Sequence, residues 1–260
     1  MVNYQKMIFI TKMNKSPLKI FPYFLSFLAL LLTWLAVSTI INSELIFPSP
    51  ASVFIKCKEL LFTKQFWNNF FTTLIRCFFS FLISFFLGSI LGIAGGKNSF
   101  FREFMAFPLA VIRSTPVIAI ILISIYLLSS RTLPVFISIL MNLPIIVTSY
   151  FHGFDNVDPS LMNMAKIYNF SSVQKLIYIQ LPACKNNIKA AMISVYGLCW
   201  KVVVAGEVLC LPKNGLGSVL QKNQIHLETA SVFAITILFV FFSWLIEAAV
   251  KGVLRRKWKN

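Results

Sequence analysis

The sequence predicts an all-α membrane protein with about six transmembrane helices and a cytoplasmic two-helix loop between helices 4 and 5. Hydrophobic residues make up 58% of the 260 residues and charged residues only 12%, whereas charged residues are ~25% of a soluble domain. Six apolar runs are long enough to cross the ~30 Å hydrocarbon core of a bilayer. The predicted spans are residues 21–41, 70–94, 104–128, 133–151, 188–209 and 229–250.

The first run starts like a secretory signal but is too long to be one. Lys6, Lys12, Lys15 and Lys19 precede it, as basic residues precede the apolar region of a signal peptide. Its ~20 residues exceed the usual length of that region, and no small-residue cleavage site follows. We therefore expect residues 21–41 to remain as a spanning helix.

The fourth run contains two prolines. Pro134 opens it and Pro144 lies in its interior, where proline tends to kink a helix. Membrane helices tolerate such breaks when neighbouring groups satisfy the freed carbonyl. A spanning helix is expected here as well.

The distribution of Lys and Arg predicts the orientation of the chain. With the N-terminus in the cytoplasm, the inner segments hold more than twice as many Lys and Arg as the outer segments, which is the bias that orients membrane proteins. Both termini are therefore predicted to be cytoplasmic. The predicted parts are a cytoplasmic segment (1–20), one transmembrane domain (21–250) with a cytoplasmic loop (153–187), and a basic tail (251–260).

The composition argues against several functions. A net charge of +16 would suggest a nucleic-acid partner in a soluble protein, but here the basic residues lie at the edges of apolar runs, as membrane topology requires. The five Cys are odd in number and include no Cys-x-x-Cys. We therefore expect no nucleic acid, no disulfide framework, no metal site and no cofactor.

An enzymatic function is not predicted. The sequence has no Gly-x-x-x-x-Gly-Lys-Ser/Thr loop for binding phosphates. The sequence also offers no Ser/His/Asp arrangement, because its two histidines, His152 and His226, fall at opposite membrane faces in the predicted topology. ATP hydrolysis is therefore expected in a separate subunit.

The polar loop at residues 153–187 is the most informative stretch. Asp158 followed by Pro159 is a good helix start, and the first helix is predicted to reach about Tyr168. Connecting loops are commonly much shorter than ~35 residues. Docking of a partner is therefore favoured over the alternative, a loop that merely shields the end of the bundle.

A second helix is predicted in the same loop. Asn169 tolerates the left-handed conformation that ends a helix, and Ser171-Ser-Val-Gln174 is a capping-box pattern. The second helix is expected to stop near Pro182.

Residues of this loop match a known signature, which runs Glu-Ala-Ala, three residues, Gly, about nine residues, then an apolar-x-Leu-Pro ending. The corresponding residues here are Asn163-Met164-Ala165, Asn169, Ile179 and Leu181-Pro182. The loop thus resembles the signature loop of inner-membrane permease subunits of ATP-binding-cassette importers, with asparagine in place of the glutamate and of the glycine. In that family the loop sits in a cleft of the ATPase subunit. The resemblance implies an ATPase-coupling surface at Asn163, Met164, Ala165, Tyr168, Asn169, Phe170, Leu181 and Pro182.

Other fragments occur in the order and spacing of one branch of that family. They are Phe47-Pro-Ser-Pro50, Arg76, Arg113-Ser-Thr-Pro116, Val157-Asp-Pro159, Gly206-Glu207 and Gly215-Leu-Gly217. They are similar to the branch that serves sulfonates, taurine, nitrate and thiamine-precursor pyrimidines. The resemblance extends from about Ile46 to the C-terminus. It implies a bacterial inner-membrane permease whose partners are an ATP-hydrolysing subunit, a second permease, an extracytoplasmic solute-binding protein and membrane lipid. The second permease is either a copy of this chain in a homodimer or a related chain.

Four charged residues in or near the spans are candidates for the solute pathway: Arg76, Arg113, Lys201 and Glu207. A charge at mid-membrane costs at least ~2.5 kcal/mol, so each should face the bundle interior, water or a partner, or snorkel. Arg76 is expected either to attract an anionic solute or to make an interhelical contact. Glu207 is expected either to contact substrate or to make structural hydrogen bonds.

The alternative function is a secondary transporter driven by an ion gradient. Such folds usually contain two related halves and acidic residues at mid-membrane. No internal repeat is visible here and the acidic residues lie toward helix ends, so the importer permease is the preferred prediction.

Overall fold

The computed structural model describes residues 21–257, with side chains left undescribed at residues 250, 251 and 253–257. The predicted cytoplasmic segment 1–20 and residues 258–260 of the basic tail lie outside the described residues. All regular secondary structure within residues 21–257 is helical. The helices are α1 (Phe21–Ile41), α2 (Pro50–Leu61), α3 (Lys64–Lys97), α4 (Ser99–Ser114), α5 (Val117–Ser124), α6 (Leu133–Asp155), α7 (Pro159–Ile167), α8 (Ser172–Lys175), a π-helical turn (Leu176–Gln180), α9 (Leu181–Cys210), α10 (Leu216–Ile225) and α11 (Thr229–Lys257).

The prediction of an all-α protein with about six spans is confirmed. Five helical segments are long and apolar enough to cross a membrane, and the pair α4 and α5 makes a sixth if it counts as one span. The five segments are Phe21–Ile41, Lys64–Lys97, Leu133–Asp155, Ser172–Cys210 and Thr229–Ala249.

The prediction of one continuous helix over residues 104–128 is wrong. The chain bends by 95° between α4 and α5. Pro116 causes the break, because its ring disfavours helical backbone at the preceding residue. Thr115 accordingly has φ −76° and ψ 127°. Helix α5 then ends at Ser124 rather than reaching residue 128.

Helices α3, α6 and α9 form the centre of the bundle. Trp200 on α9 and Ile146 on α6 are almost completely buried in the core between them. Gly92 permits the close approach of α3 to α6, since a Cβ atom at this position would lie 2.6 Å from the Cβ of Tyr150. Pro134 lies in the first turn of α6, and the interior Pro144 leaves the helix unbroken.

Helix α1 stands apart from this core. None of its residues is buried. Trp34 attaches it to the rest of the chain by donating a hydrogen bond from Nε1 to the Pro48 carbonyl at 3.1 Å and by packing on Phe233 with 5.9 Å between ring centroids. Its apolar surface is therefore left for lipid or for another chain.

The predicted stop of the second loop helix near Pro182 is also wrong. Helix α8 passes through the π-helical turn directly into α9, so Ser172–Cys210 forms one apolar helical segment. In the π turn the Leu181 N–H donates to the Leu176 carbonyl five residues back. Pro182 follows in the first turn of α9. Proline has no N–H to donate to a carbonyl in the preceding turn, and the π turn already departs from the regular α-helical hydrogen bonds there, so the helix continues through it.

Candidate functional site

The elbow, which we define as α7, α8 and their connection (residues 158–175), is built by local caps. Asp158 Oδ1 accepts hydrogen bonds from the Ser160 N–H at 2.8 Å and from its hydroxyl at 2.7 Å. The side-chain hydrogen bond from Ser160 lowers the pKa of Asp158 below its ordinary value. The predicted start of the first helix is therefore confirmed.

The turn inside the elbow has the predicted chemistry. Asn169 has φ 53°, and the following Phe170 N–H closes the turn on the Ala165 carbonyl at 2.8 Å. Ser171 and Gln174 form the predicted capping box, with the Ser171 N–H donating to Gln174 Oε1 at 2.7 Å and the Gln174 N–H donating to Ser171 Oγ at 3.2 Å. These contacts fix the angle between the two helices.

Large apolar side chains are exposed on the elbow and on the helix that continues from it. Those more than 40% exposed are Leu161, Met164, Ile167, Tyr168, Val173, Ile177 and Tyr178. Leu161, Met164 and Tyr168 follow the i, i+3, i+7 spacing of one helix face. Exposed polar residues such as Asn163 and Lys166 surround them. An exposed apolar patch with a polar rim is typical of a protein interaction site.

The eight residues of the predicted coupling surface do not all reach this exposed face. Asn163, Met164, Tyr168, Asn169 and Pro182 are exposed, and Phe170 and Leu181 are half-buried. Ala165 is fully buried, so its side chain packs inside the elbow. The eight residues do not include four other exposed apolar residues, Ile167, Val173, Ile177 and Tyr178.

An ion pair fastens the elbow side of α6 to α4. Arg102 donates from Nη1 and Nη2 to the two carboxylate oxygens of Asp155, each at 2.6 Å. Its guanidinium carbon also lies 4.9 Å from the ring centroid of Phe151. Planar, two-point contacts of this kind fix relative orientation as well as distance.

At the far end of α9, Arg76 and Glu207 form a buried ion pair. Arg76 Nη1 lies 2.6 Å from Glu207 Oε1, and the Glu207 side chain is fully buried. Thr73 Oγ1 donates to the same carboxylate at 2.9 Å and the Gly217 N–H donates to it at 3.0 Å. Arg76 therefore makes the predicted interhelical contact, and Glu207 makes the predicted structural hydrogen bonds.

The pair also holds the loop between α9 and α10. Arg76 Nη1 donates to the Asn214 carbonyl at 2.8 Å, and the Gly215 N–H donates to Asn69 Oδ1 at 2.9 Å. Gly215 has φ 150°, and a Cβ atom there would lie 2.6 Å from Glu207 Cδ. Glu207 and the loop Gly215-Leu-Gly217 therefore form one structural unit, because the loop folds directly against the carboxylate.

The other two predicted pathway charges lie elsewhere. Arg113, in the last turn of α4, is exposed and donates from Nη2 to Thr148 Oγ1 at 2.8 Å. Lys201 is exposed on α9. The structure therefore does not assemble the four predicted residues into one site.

A cavity of ≈ 690 Å³ opens between α3 and α6 beside this ion pair. Its lining includes Arg76 and Arg131. Sequence reasoning did not select Arg131, because it lies in the short connection between two apolar runs and its position looks like that of an ordinary loop cation.

Comparison with known proteins identifies the family. The family described as the binding-protein-dependent transport system inner membrane component matches residues 84–259. The chain belongs to this family. It is a multi-pass inner-membrane permease subunit of an ATP-binding-cassette importer. Such a permease is not itself an enzyme, since the ATPase is a separate subunit, and the permeases of this family work in a dimeric arrangement.

Individual relatives agree with this assignment. The permease is 25% identical over 250 residues to the putative aliphatic sulfonates transport permease protein SsuC of Escherichia coli K12, covering 95% of this chain and 94% of the relative. It is 23% identical over 222 residues to the protein of the same description in Bacillus subtilis 168, covering 84% and 80%. Among solved structures, an inward-facing MetNI methionine ABC transporter chain matches its fold with a TM-score of 0.58 at 17% identity, covering 73% of this chain and 93% of that one. Membership decides against the gradient-driven alternative.

Proposed function

We propose that this permease imports a small organic anion of the sulfonate type, received from an extracytoplasmic solute-binding protein. The names of its relatives in two bacteria support the substrate class, because both are described as aliphatic sulfonate permeases. We further propose that two copies of this chain form the dimer. Both termini and the elbow lie in the cytoplasm in this proposal, as the distribution of Lys and Arg predicts.

The elbow is proposed as the surface that docks the ATPase subunit. The observation that carries this is its exposed apolar face, in which Ile167 is 77% exposed and Tyr168 is 69% exposed. Side chains of this kind lose solvent contact favourably in a partner's cleft. The two caps hold the elbow in shape before any partner arrives, which reduces the entropy cost of binding.

Motion of the elbow would reach the opposite membrane side through α9. The segment Ser172–Cys210 has 39 residues, so at 1.5 Å per residue it is about 58 Å long. Its far end carries Glu207, which holds the loop before α10. The ATPase must bind the two states of the permease with different affinity, since a partner that binds both equally shifts nothing.

The test is co-purification of the tagged permease with its ATPase subunit. The variants Ile167→Asp and Tyr168→Asp each place a charge on the proposed docking face. Both positions are exposed, so the change does not disturb the core. We expect each to lose the ATPase while the permease remains folded. Ala165→Asp is not a useful variant, because that side chain is fully buried and a charge there would unfold the elbow.

The matched control is Phe62→Asp. Phe62 is 84% exposed at the end of α2, so the same chemical change is made away from the elbow. We expect this variant to retain the ATPase. Retention of the ATPase by both elbow variants at wild-type levels would show that the elbow is not the docking surface.

A further inference from the structure

The cavity between α3 and α6 has an apolar wall. Its apolar lining residues are Ile75, Phe79, Leu128, Val135, Phe136 and Ile139. Its volume of ≈ 690 Å³ falls in the ~300–1,000 Å³ range of small-ligand pockets. Such a wall suits the hydrocarbon part of an amphiphilic solute.

The charged residues of the lining are all of one sign. Arg76 and Arg131 contribute to it, and no acidic side chain does. Glu207 partly balances Arg76, but through Nη1 alone. Across residues 21–257, Arg76 makes its hydrogen bonds with that one nitrogen, which leaves Nε and Nη2 for another partner.

Arg131 is the unbalanced charge of the cavity. It is exposed, and within the described part of the chain it forms no ion pair or hydrogen bond through its guanidinium. The positive end of the α6 dipole begins two residues later at Leu133 and adds to the potential. The two threonine hydroxyls of the lining already donate to backbone carbonyls, Thr72 to Asn68 and Thr132 to Ser129.

We propose that this cavity is a binding site for the transported organic anion, with Arg131 as the residue that contacts the anionic group. A guanidinium presents paired N–H donors that match sulfonate or carboxylate oxygens. The apolar wall would hold the alkyl part. This inference rests on the proposed substrate class and adds to it a position and a contact residue.

The first test is uptake by the complete transporter, reconstituted in liposomes with its ATPase and binding protein. The probe is radiolabelled butanesulfonate, supplied as a saturating complex with the binding protein. We expect Arg131→Gln to reduce the rate by roughly tenfold, the loss of one charge-assisted contact, and Arg131→Lys to keep most of it. Lys97→Gln is the matched control, since Lys97 is exposed at the opposite end of α3. An Arg131→Gln rate equal to wild type would overturn the inference.

The second test measures binding without transport. Thr132→Cys, in the cavity lining and with Arg131 left in place, is labelled with an anionic thiol reagent, and butanesulfonate is expected to slow the labelling. Tyr126→Cys, at a position that is 90% exposed and outside the cavity lining, should be labelled at the same rate with and without butanesulfonate. Labelling that responds to phosphatidylglycerol in the vesicles but not to butanesulfonate would identify the occupant as a lipid headgroup and overturn the inference.

The two tests separate the inference from the proposed function. If the wild-type transporter does not take up butanesulfonate, the proposed substrate class fails, and protection of Thr132→Cys still decides whether the cavity binds the anion. If the wild type transports but Arg131→Gln does not slow uptake and butanesulfonate does not protect Thr132→Cys, the substrate class stands and the site fails.

Discussion

Replacing Glu207 with leucine would leave the Arg76 guanidinium in a buried position without its counter-charge. Arg76→Met would likewise leave a buried carboxylate, held only by Thr73 and the Gly217 N–H. Removing one partner of a buried ion pair costs about 3–5 kcal/mol. Each single variant is therefore expected to lose about that much stability.

The double variant, Arg76→Met with Glu207→Leu, has a different balance. It recovers about 1–4 kcal/mol of the desolvation cost of the pair. It leaves the Gly217 N–H and the Asn214 carbonyl without these partners, at about 1–3 kcal/mol each. The Thr73 hydroxyl also loses its acceptor but can rotate to donate to the carbonyl one helical turn back. These terms largely cancel, so we expect the double variant to be more stable than either single variant.

Buried cysteines provide the assay. Cys77, Cys184 and Cys199 are fully buried free thiols, so a thiol-reactive dye reports unfolding as the detergent-solubilised permease is heated. At about 2–4 °C per kcal/mol for a chain of this size, each single variant should lower the midpoint by roughly 6–20 °C. If the unfolding midpoint of the double variant is no higher than that of the less stable single variant, the claim that the pair acts as a unit is refuted.

Two further changes test the turn geometry. Gly215→Ala places a Cβ 2.6 Å from Glu207 Cδ at a positive φ, so we expect a lower unfolding midpoint in the same dye assay. The control Gly197→Ala places a Cβ that meets no atom within 4 Å and should not lower the midpoint. Equal midpoints for the two variants would contradict this account. Because the Ser160 hydrogen bonds hold the pKa of Asp158 below its ordinary value, its cap is complete above the unfolded pKa of ~3.9 and is lost as the pH falls through the lower folded pKa. Hydrogen exchange of the elbow amides, corrected for the intrinsic effect of pH, should therefore rise on acidification below about pH 4 in the wild type and stay level in Asp158→Asn, and an identical response in both would remove the cap as its cause.

Local features of the sequence predicted much of the fold. Apolar runs gave the spans, since length and hydropathy suffice for a helix in lipid. The caps at Asp158 and at Ser171 with Gln174 were predictable because each depends on residues within three positions of one another.

The prolines show where local reasoning fails. Pro116 breaks a span, Pro144 is accommodated within α6, and Pro182 follows a π turn in a continuous helix. Proline has a different effect at each of these positions because the backbone hydrogen bonds around it differ. The sequence next to a proline does not reveal those hydrogen bonds.

The partners of buried charges were equally out of reach. Arg76 and Glu207 are 131 positions apart, and their pairing depends on how α3 packs against α9. Within the elbow, the caps predicted the two helices but did not tell which side of α7 faces inward. Ala165 is buried and its near neighbour Ile167 is 77% exposed.

Because α8 continues through the π-helical turn into α9, the direction in which the elbow points depends on how many residues lie between Ser172 and Leu181 rather than on which residues they are. Each residue of an α-helix adds about 100° of rotation. Losing one residue between Ser172 and Leu181 would therefore swing the apolar face of α7 by about a quarter of a circle around the axis of α9 if the π turn were retained. The chemistry of every remaining side chain would be unchanged. If the elbow docks the ATPase as proposed, a single-codon deletion would change which ATPase a permease accepts, a difference that sequence identity hardly registers.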